Sequence, residues 1–297
     1  MAKMTTTDAV HMQERPAGSS SHFRQLANLI TVADICSPFI ATISSDRSVG
    51  EVYNEWSVDC FERGLDPMAQ IALVEVEGKL QGWIGYDMLE AGRAIHECME
   101  PITADAILTA DTCLVDVVAA FHHSSQYFFL VLKGNHFIGW CSYSDLHKPP
   151  LRLCLFAMLI NVEKLLLQVV LLSPRESVAL LSQGRLSKAK DVYALRRYDY
   201  DKEGRPYDAK LLECTTIADK IFVARKLPDI KQAIHSLADA KFCSRVERLR
   251  NEVAHPGLEE RSSSLLDRKK LWPFTEQTET LESELQEFLE QGRPTVE

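Results

Sequence analysis

Arg250, Asn251 and His255 form a short motif near the end of the chain that combines a proton-transfer side chain with a permanent cation. His255 can exchange protons near neutral pH, and the guanidinium of Arg250 can contact two oxygens of a phosphate group at once. These residue types suit acid–base chemistry on a phosphate ester without a metal ion. A structural alternative is that His255 caps the end of a helix, because Pro256 and Gly257 follow it.

Ser142 and Asp145 form a second pair, a hydroxyl and a carboxylate three residues apart at the end of a predicted strand. A carboxylate only accepts hydrogen bonds, so Asp145 suits a ligand that offers two neighbouring hydroxyl donors. The same spacing is typical of a helix N-terminal capping arrangement. The two roles can coexist in one structure.

The Ser142 pair lies in the second copy of an internal duplication. Two opening segments, residues 32–38 and 95–101, resemble each other, and residues 82–84 resemble residues 139–141 in the same order. The offsets of 63 and 57 residues predict two copies of about sixty residues, the first with a small insertion. Copies of this size bury little apolar surface alone, so we expect them to pack face to face around a cleft.

The elements that must position these residues follow from hydrophobic periodicity, and each copy is predicted to contain strand, helix, strand, turn, strand and helix. The predicted strands cover residues 39–43, 71–76, 80–84, 106–108, 127–132 and 137–142, and the helices residues 49–63 and 114–123. After Pro149 and Pro150 the pattern becomes helical. Helices are predicted over residues 151–172, 176–198, 209–225, 229–255 and 274–291, with an exposed loop at 200–206.

The predicted fold is therefore α+β, with two small duplicated units followed by an all-helical bundle. A flexible tail is expected over residues 1–30, the duplicated half over 31–148 (copies at about 31–92 and 93–148) and the bundle over 149–297. The apolar stretch 151–172 carries several polar residues, which favours a helix buried in protein over a membrane span.

Charge divides the chain in the same way. Residues 1–148 carry 9 basic and 19 acidic side chains, whereas residues 149–271 carry 23 basic and 16 acidic ones, within a formal net charge of −9. Only the helical half is therefore suited to meet a polyanion. Eight cysteines without a Cys-x-x-Cys pair, and no apolar leader, favour a reducing cytoplasm over disulfides or zinc.

Residues 139–146 resemble the closing motif of the cystathionine-β-synthase (CBS) domain, and together with both opening segments they make residues 31–148 similar to a CBS pair. Paired copies in that family commonly bind adenosine-containing ligands. The resemblance implies that Asp145 accepts hydrogen bonds from ribose hydroxyls and that Ser142 donates to the ribose or first phosphate. AMP, ATP or S-adenosylmethionine would be such a regulatory ligand, and the acidic charge of this half favours those without a long polyphosphate.

The first copy departs from this pattern. Gly85 stands where the hydroxyl belongs and Met88 where the carboxylate belongs, while Asp87 lies one residue early. A shift of one residue turns a helical side chain by roughly 100 degrees, so Asp87 cannot replace the carboxylate. We therefore expect one ligand site per chain.

Residues 248–256 resemble the signature of the HEPN superfamily, helical bundles whose motif is Arg, a polar residue, three further residues and His. The match covers Arg250, Asn251 and His255. The resemblance implies a metal-independent endoribonuclease that needs no catalytic cofactor and assembles its site from two copies of the motif across a homodimer. Glu163, on the apolar helix, is either a buried partner of Arg250 or a residue on a solvated edge.

The sequence thus predicts a cytoplasmic homodimer in which an adenosyl-sensing CBS pair controls RNA cleavage by the helical half. One alternative is a non-enzymatic regulator, in which ligand binding controls how the same bundle binds a partner or RNA. A further alternative makes the duplicated half purely structural, with no ligand. Neither DNA, a membrane nor a metal ion is expected as a partner.

Overall fold

The computed structural model confirms the predicted α+β fold, because two small sheets precede a long run of helices. The structure describes residues 29–39, 41–201, 206–254 and 268–291. The predicted tail, apart from its last two residues, lies outside this part of the chain, and so do most of the predicted loop at 200–206 and His255.

The duplication is present in three dimensions. The first copy contains β1 (Thr42–Ser44), α1 (Val49–Glu62), β2 (Ile71–Val76) and β3 (Lys79–Gly85). The second begins with its opening segment, which forms α2 (Ile95–Cys98) and β4 (Glu100–Pro101), and continues with β5 (Ile107–Thr109), α3 (Leu114–His123), β6 (Phe128–Lys133) and β7 (His136–Ser142). Strand β1 runs parallel to β2, as β5 does to β6, and β2 and β6 each pair antiparallel with the strand that follows. Even the register irregularity recurs, after Val74 and after Val131.

Local sequence explains these elements. Helix α1 begins at a capping box in which the backbone N–H of Glu51 donates to the Ser48 hydroxyl and the Glu51 carboxylate accepts from the Ser48 backbone. Its buried side chains Val49, Val52 and Trp56 recur at helical spacing and face the first sheet's core. Strand β1 begins three residues later than predicted.

Each opening segment pairs with the sheet of the other copy. The backbone N–H of Ser37 donates to the Trp140 carbonyl (2.7 Å), and the N–H of Trp140 donates to the Ser37 carbonyl (2.8 Å). Glu100 lies opposite Trp83 in the same way in the first sheet. The two pairings are related by the duplication, so the copies exchange equivalent segments.

The exchange extends to the hydrophobic cores. Val32 and Ile35, from the first opening segment, are buried in the core of the second copy. Ile95, from the second opening segment, is buried in the core of the first. Neither copy therefore has a complete core without residues from the other.

The two sheets pack face to face, as predicted. Trp83 of β3 meets Phe128 of β6 edge to face, with ring centroids 4.5 Å apart. Leu73 and Leu130 are buried in the same apolar cluster, at 3% and 0% exposure. The middle of the predicted cleft is thus occupied by apolar side chains.

Gly139→Ala is expected to destabilise the protein because the exchanged segment passes directly over this glycine. An added Cβ would collide with the Ser37 carbonyl oxygen, as one at Gly82 would approach the Glu100 oxygen to 2.8 Å. Relieving the collision disturbs two backbone hydrogen bonds, and we expect a loss of about 1–3 kcal/mol in the free energy of unfolding.

Urea denaturation measures this loss, with Gly50→Ala as the control. Gly50 lies in helix α1 with open space around its Cα, so alanine there should leave stability unchanged or raise it by up to about 1 kcal/mol. Equal stability of Gly139→Ala and wild type would contradict the close approach of the two segments.

The helical half contains eight helices among the residues that the structure describes. They are α4 (Pro149–Val170), α5 (Pro174–Ala179), α6 (Gln183–Asp201), α7 (Tyr207–Glu213), α8 (Ile217–Ala224), α9 (Pro228–Ala233), α10 (Ala240–Ala254) and α11 (Arg268–Gln291). Pro149 and Pro150 do not form a linker but occupy the first turn of α4, where a missing N–H costs no helical bond. The predicted division into domains at this point stays a prediction.

Three predicted helices are each broken in two, because a local cap starts a new helix at each break. The Ser182 hydroxyl accepts from the backbone of Arg185, and the Asp239 carboxylate accepts from the backbone of Phe242. Thr216 and Asp219 form a reciprocal capping box. These side chains satisfy backbone N–H groups that a continuous helix would have bonded internally.

Helix α4 belongs to two cores. Leu151 and Leu155 are buried with the second copy, whereas Val162 and Leu166 are buried in the bundle. By length and composition α4 could cross a membrane, but half of its most apolar window is buried inside the protein. Trp272 of α11 also joins the core of the second copy, so two helices connect the halves.

Candidate functional site

Asp145 lies at the junction of β7 and α4 and is only 5% exposed. Its Oδ2 atom accepts hydrogen bonds from the backbone N–H (2.7 Å) and the hydroxyl (2.8 Å) of Ser142. The other oxygen, Oδ1, accepts from the Ser37 hydroxyl at 3.0 Å and pairs with Lys148 Nζ at 2.7 Å. The capping arrangement that the spacing of Ser142 and Asp145 predicted is therefore present. Both oxygens of the Asp145 carboxylate have protein partners.

Ser37, Ser142, Asp145 and Lys148 form what we call the Asp145 cluster. Lys148 Nζ also donates to the Ile35 carbonyl and to the Ser37 hydroxyl, at 3.2 Å for the latter. The sequence identified Ser142 and Asp145 but missed the other two. Ser37 comes from the exchanged opening segment, which the sequence does not place beside Asp145. Lys148 could have been found from its position, one helical turn after Asp145. The cluster thus joins residues from both copies.

The equivalent place in the first copy has a different chemistry. The backbone N–H of Gly85 points at Met88 Sδ, 3.2 Å away, in the arrangement that Ser142 and Asp145 adopt in the second copy. Asp87 is exposed. A thioether is a weak acceptor and carries no charge, so Met88 cannot hold a diol as a carboxylate does. The expectation of one site per chain stays a prediction.

Two thiols lie beside the Asp145 cluster. Burial raises the pKa of the Cys141 thiol, and the nearby Asp145 carboxylate raises it further. Burial also raises the pKa of Cys36, with the positive charge of Lys148 opposing the shift. Both groups are neutral thiols at physiological pH and are unsuited to nucleophilic chemistry.

In the helical half, Glu163 lies between two cations. Lys220 Nζ donates to Glu163 Oε1 at 3.0 Å, and Arg250 Nε lies 3.7 Å from Glu163 Oε2, an ion pair too long for a hydrogen bond. The Lys220 side chain is 3% exposed and also donates to the Thr215 carbonyl at 2.6 Å. Of the two alternatives for Glu163, the structure supports the first, in which Glu163 pairs with Arg250. The sequence missed Lys220, because lysine is seldom buried.

The rest of the motif is only partly visible. Asn251 lies in helix α10, directly after Arg250, but its side chain and the whole of His255 are outside the described part of the chain. The arrangement of the three motif residues therefore stays a prediction. Arg250 and Asp145 belong to different halves of the chain.

No protein-family model and no curated protein matches the sequence. Several solved structures are similar to parts of this chain. CBSX2 from Arabidopsis thaliana, described as a CBS-pair protein, is 15% identical, covers 41% of this chain and 95% of its own, and has a TM-score of 0.31. The structural neighbours of this chain include CBS-pair domains.

Two further structures differ in how much of the chain they match. The cytosolic domain of the Mg2+ channel MgtE, solved in complex with ATP, is 16% identical with a TM-score of 0.33 and covers 39% of this chain. This chain spans 47% of that domain, about half of its length. Protein MJ1004 from Mathanocaldococcus jannaschii is 16% identical with a TM-score of 0.31 and covers 76% of this chain and 99% of its own.

Proposed function

We propose that the chain is a ligand-controlled, metal-independent endoribonuclease of the cytoplasm. An adenosine-containing ligand binds at the Asp145 cluster of the CBS-like duplicated half. The HEPN-like helical half cleaves RNA with Arg250, Asn251 and His255, and the ligand controls that cleavage.

One observation carries the proposal: helix α4 joins the two sites. Lys148, which pairs with Asp145, is the residue before the first turn of α4, and Glu163, which pairs with Arg250, lies on the same helix. At 1.5 Å per residue, Lys148 and Glu163 are about 22 Å apart along the helix axis. A rigid helix that is held by side-chain networks at its start and again in its second half is suited to couple two sites.

The coupling follows from the hydrogen bonds at the start of α4. A ribose diol that donates to Asp145 replaces the hydroxyls of Ser37 and Ser142, which now occupy the carboxylate. The ion pair between Lys148 and Asp145 then weakens, and the start of α4 shifts. Because the coupling free energy is reciprocal, occupancy of the RNA site changes ligand affinity by the same factor.

In the proposed reaction, His255 acts in proton transfer and Arg250 stabilises charge. A base removes the proton from the 2′-hydroxyl, whose oxygen attacks phosphorus. The bond from phosphorus to the 5′-oxygen breaks, and an acid protonates that oxygen. The products are a 2′,3′-cyclic phosphate and a 5′-hydroxyl. The guanidinium of Arg250 stabilises the added negative charge on the phosphate oxygens in the transition state.

A homodimer is part of the proposal, because a single chain supplies only one copy of the motif. Leu153 and Ile160 support it: they lie seven residues apart on α4 and are 60% and 43% exposed. Seven residues are two helical turns, so the two side chains share one face. Apolar side chains exposed together on one face of a half-buried helix suit an interface with a second copy.

The ligand step is tested by thermal unfolding with AMP, ATP and S-adenosylmethionine. A ligand that binds only the folded state adds about 2.7 kcal/mol of stability at a hundredfold excess over its dissociation constant. We expect at least one of the three to raise the melting temperature of the wild type. Asp145→Asn should abolish the increase, because an amide presents one acceptor oxygen instead of two.

The matched control is Asp87→Asn, which removes the same charge from the exposed carboxylate of the first copy. It should leave the ligand-induced increase intact. If none of the adenosine compounds shifts the wild type, the duplicated half has no sensing role. An increase that survives Asp145→Asn would place the ligand elsewhere.

A second candidate function is a non-enzymatic homodimeric regulator, in which the ligand controls partner or RNA binding by the bundle. The pairing of Arg250 with Glu163 favours it, since an ion-paired guanidinium has less charge to offer a phosphate. Cleavage assays on the motif, described below, separate the two functions.

A further inference from the structure

The helical half contains a pocket between helices α8 and α10, with the start of α6 along one side. Its volume is about 410 Å³. The residues that matter for its chemistry are Arg185, Phe222, Arg225, Lys226, Cys243 and Glu247. Volumes of 300–1,000 Å³ are typical of pockets for small organic ligands, so about one nucleotide unit fits.

The charged residues of the lining are mostly basic. Arg185, Arg225 and Lys226 are positive and Glu247 is negative. Asp219, which pairs with Arg185, offsets one further positive charge. Arg185 also donates to Asp219 Oδ1 at 2.9 Å, which fixes the guanidinium at one edge. Arg225 and Lys226 are exposed, so an anion in solution can reach them. An excess of positive charge at one concave surface raises the local concentration of anions.

Phe222 holds two of these cations in place. The guanidinium carbon of Arg185 lies 4.4 Å from the centre of the ring, and Lys226 Nζ lies 4.9 Å from it. Contact with an aromatic ring attracts a cation without neutralising it. Both side chains are therefore positioned before a ligand arrives. Lys226 keeps its charge for the ligand, whereas Arg185 shares its charge with Asp219.

Cys243 is buried among the lining residues, at 3% exposure. Burial raises the pKa of its thiol, although the positive charge of Arg225 opposes the shift. The thiol is thus neutral and adds no negative charge that would repel an anion. Ile221 and Ala218 also line the pocket, so part of its wall is apolar.

The pocket lies along the same helix as the predicted motif. Glu247 lines the pocket, and Asn251 follows it in α10 one helical turn later. The pocket therefore lies within about one helical turn of the backbone of Asn251.

We propose that this basic pocket binds a phosphate group of a nucleotide ligand. The inference deepens the proposed function, since a phosphate held here would place an RNA strand beside the motif, and to that extent it rests on that function. The phosphate could belong to RNA or to a free phosphorylated molecule, and the chemistry of recognition is the same.

The test measures binding by the full-length chain to two probes that lack adenine, which avoids the ligand site in the duplicated half. A short fluorescein-labelled 2′-O-methyl oligouridylate is titrated by anisotropy; it cannot be cleaved because it has no free 2′-hydroxyl. Inorganic pyrophosphate is titrated by calorimetry. The double variant Arg225→Gln/Lys226→Gln should raise the dissociation constant of at least one probe about tenfold or more. For the oligouridylate, the salt dependence should fall by about two phosphate contacts.

The control is Arg175→Gln/Lys231→Gln, which removes the same two charges from exposed residues outside the pocket. It should weaken binding much less. Loss of oligouridylate binding alone identifies RNA as the source of the phosphate, and loss of pyrophosphate binding alone identifies a free phosphorylated molecule. The proposal is overturned if the wild type binds neither probe, or if both double variants behave alike. Binding through the pocket without any RNA cleavage would instead contradict the ribonuclease.

Discussion

His255→Ala is expected to slow RNA cleavage by a factor of about 100 to 10,000, because it removes the group that transfers protons in the proposed reaction. The fold should persist, since a histidine at a helix end contributes only about 0.5–2 kcal/mol as a cap. Arg250→Ala should also abolish cleavage by removing the cation that stabilises the transition state. Single-turnover cleavage of a structured RNA in EDTA measures the rate, and the products should carry 2′,3′-cyclic phosphate ends.

The matched control for this experiment is His235→Ala, which removes an exposed imidazole from the same half of the chain. It should cleave at the wild-type rate. Sedimentation velocity shows whether each variant keeps the oligomeric state of the wild type, so that a lost interface is not mistaken for lost chemistry. Wild-type activity that is absent, metal-dependent or unchanged in His255→Ala would favour the non-enzymatic regulator.

Glu163→Gln is expected to destabilise the protein by about 3–5 kcal/mol, because it leaves the ammonium group of Lys220 buried without a counter-charge. The Lys220 side chain is 3% exposed, and its remaining partner is the Thr215 carbonyl. The double variant Glu163→Gln/Lys220→Met should recover most of the loss, since replacing both members of a buried ion pair is often neutral. Urea denaturation of the three proteins measures the differences.

Glu287→Gln is the control, because it neutralises an exposed carboxylate on α11 and should change stability by less than about 0.5 kcal/mol. If Glu163→Gln is as stable as this control, the buried pair contributes nothing to folding, and the link from α4 to Arg250 loses its support. Glu163 also pairs with Arg250 and so can position that residue as well as stabilise the fold. Measuring RNA cleavage by Glu163→Gln, in addition to its stability, separates the two roles.

Most strands and helices of the duplicated half could be predicted closely, because turn residues bound each short apolar strand. Strand β2 and helix α3 have the predicted bounds, β7 differs by one residue at one end, and β3 differs by one residue at both ends. What the sequence did not reveal is that the opening segments exchange sheets. Pairing between distant segments leaves no periodic signal. Glycine at both 82 and 139 marked the repeat, and the structure shows that a close approach of two backbones requires it there.

In the helical half, periodicity predicted helices but not where they break. Ser182, Thr216 and Asp239 each start a new helix, since a cap needs a single side chain and does not disturb the apolar spacing around it. The Glu163–Lys220 pair was hidden for another reason. The two residues are separated by 57 positions, and burial of a lysine depends on a partner that the sequence does not place beside it.

The exchanged opening segments also constrain the order of folding during synthesis. The first sheet lacks its last strand until Glu100 and Pro101 have left the ribosome, and the core around Val52 lacks Ile95 until the same moment. The first opening segment, made earliest, has no sheet to join until Trp140 is available. Domains often fold as units while the chain emerges, but here the first copy must wait for the second. Because α4 starts only nine residues after Trp140, the second core closes as the bundle begins to form.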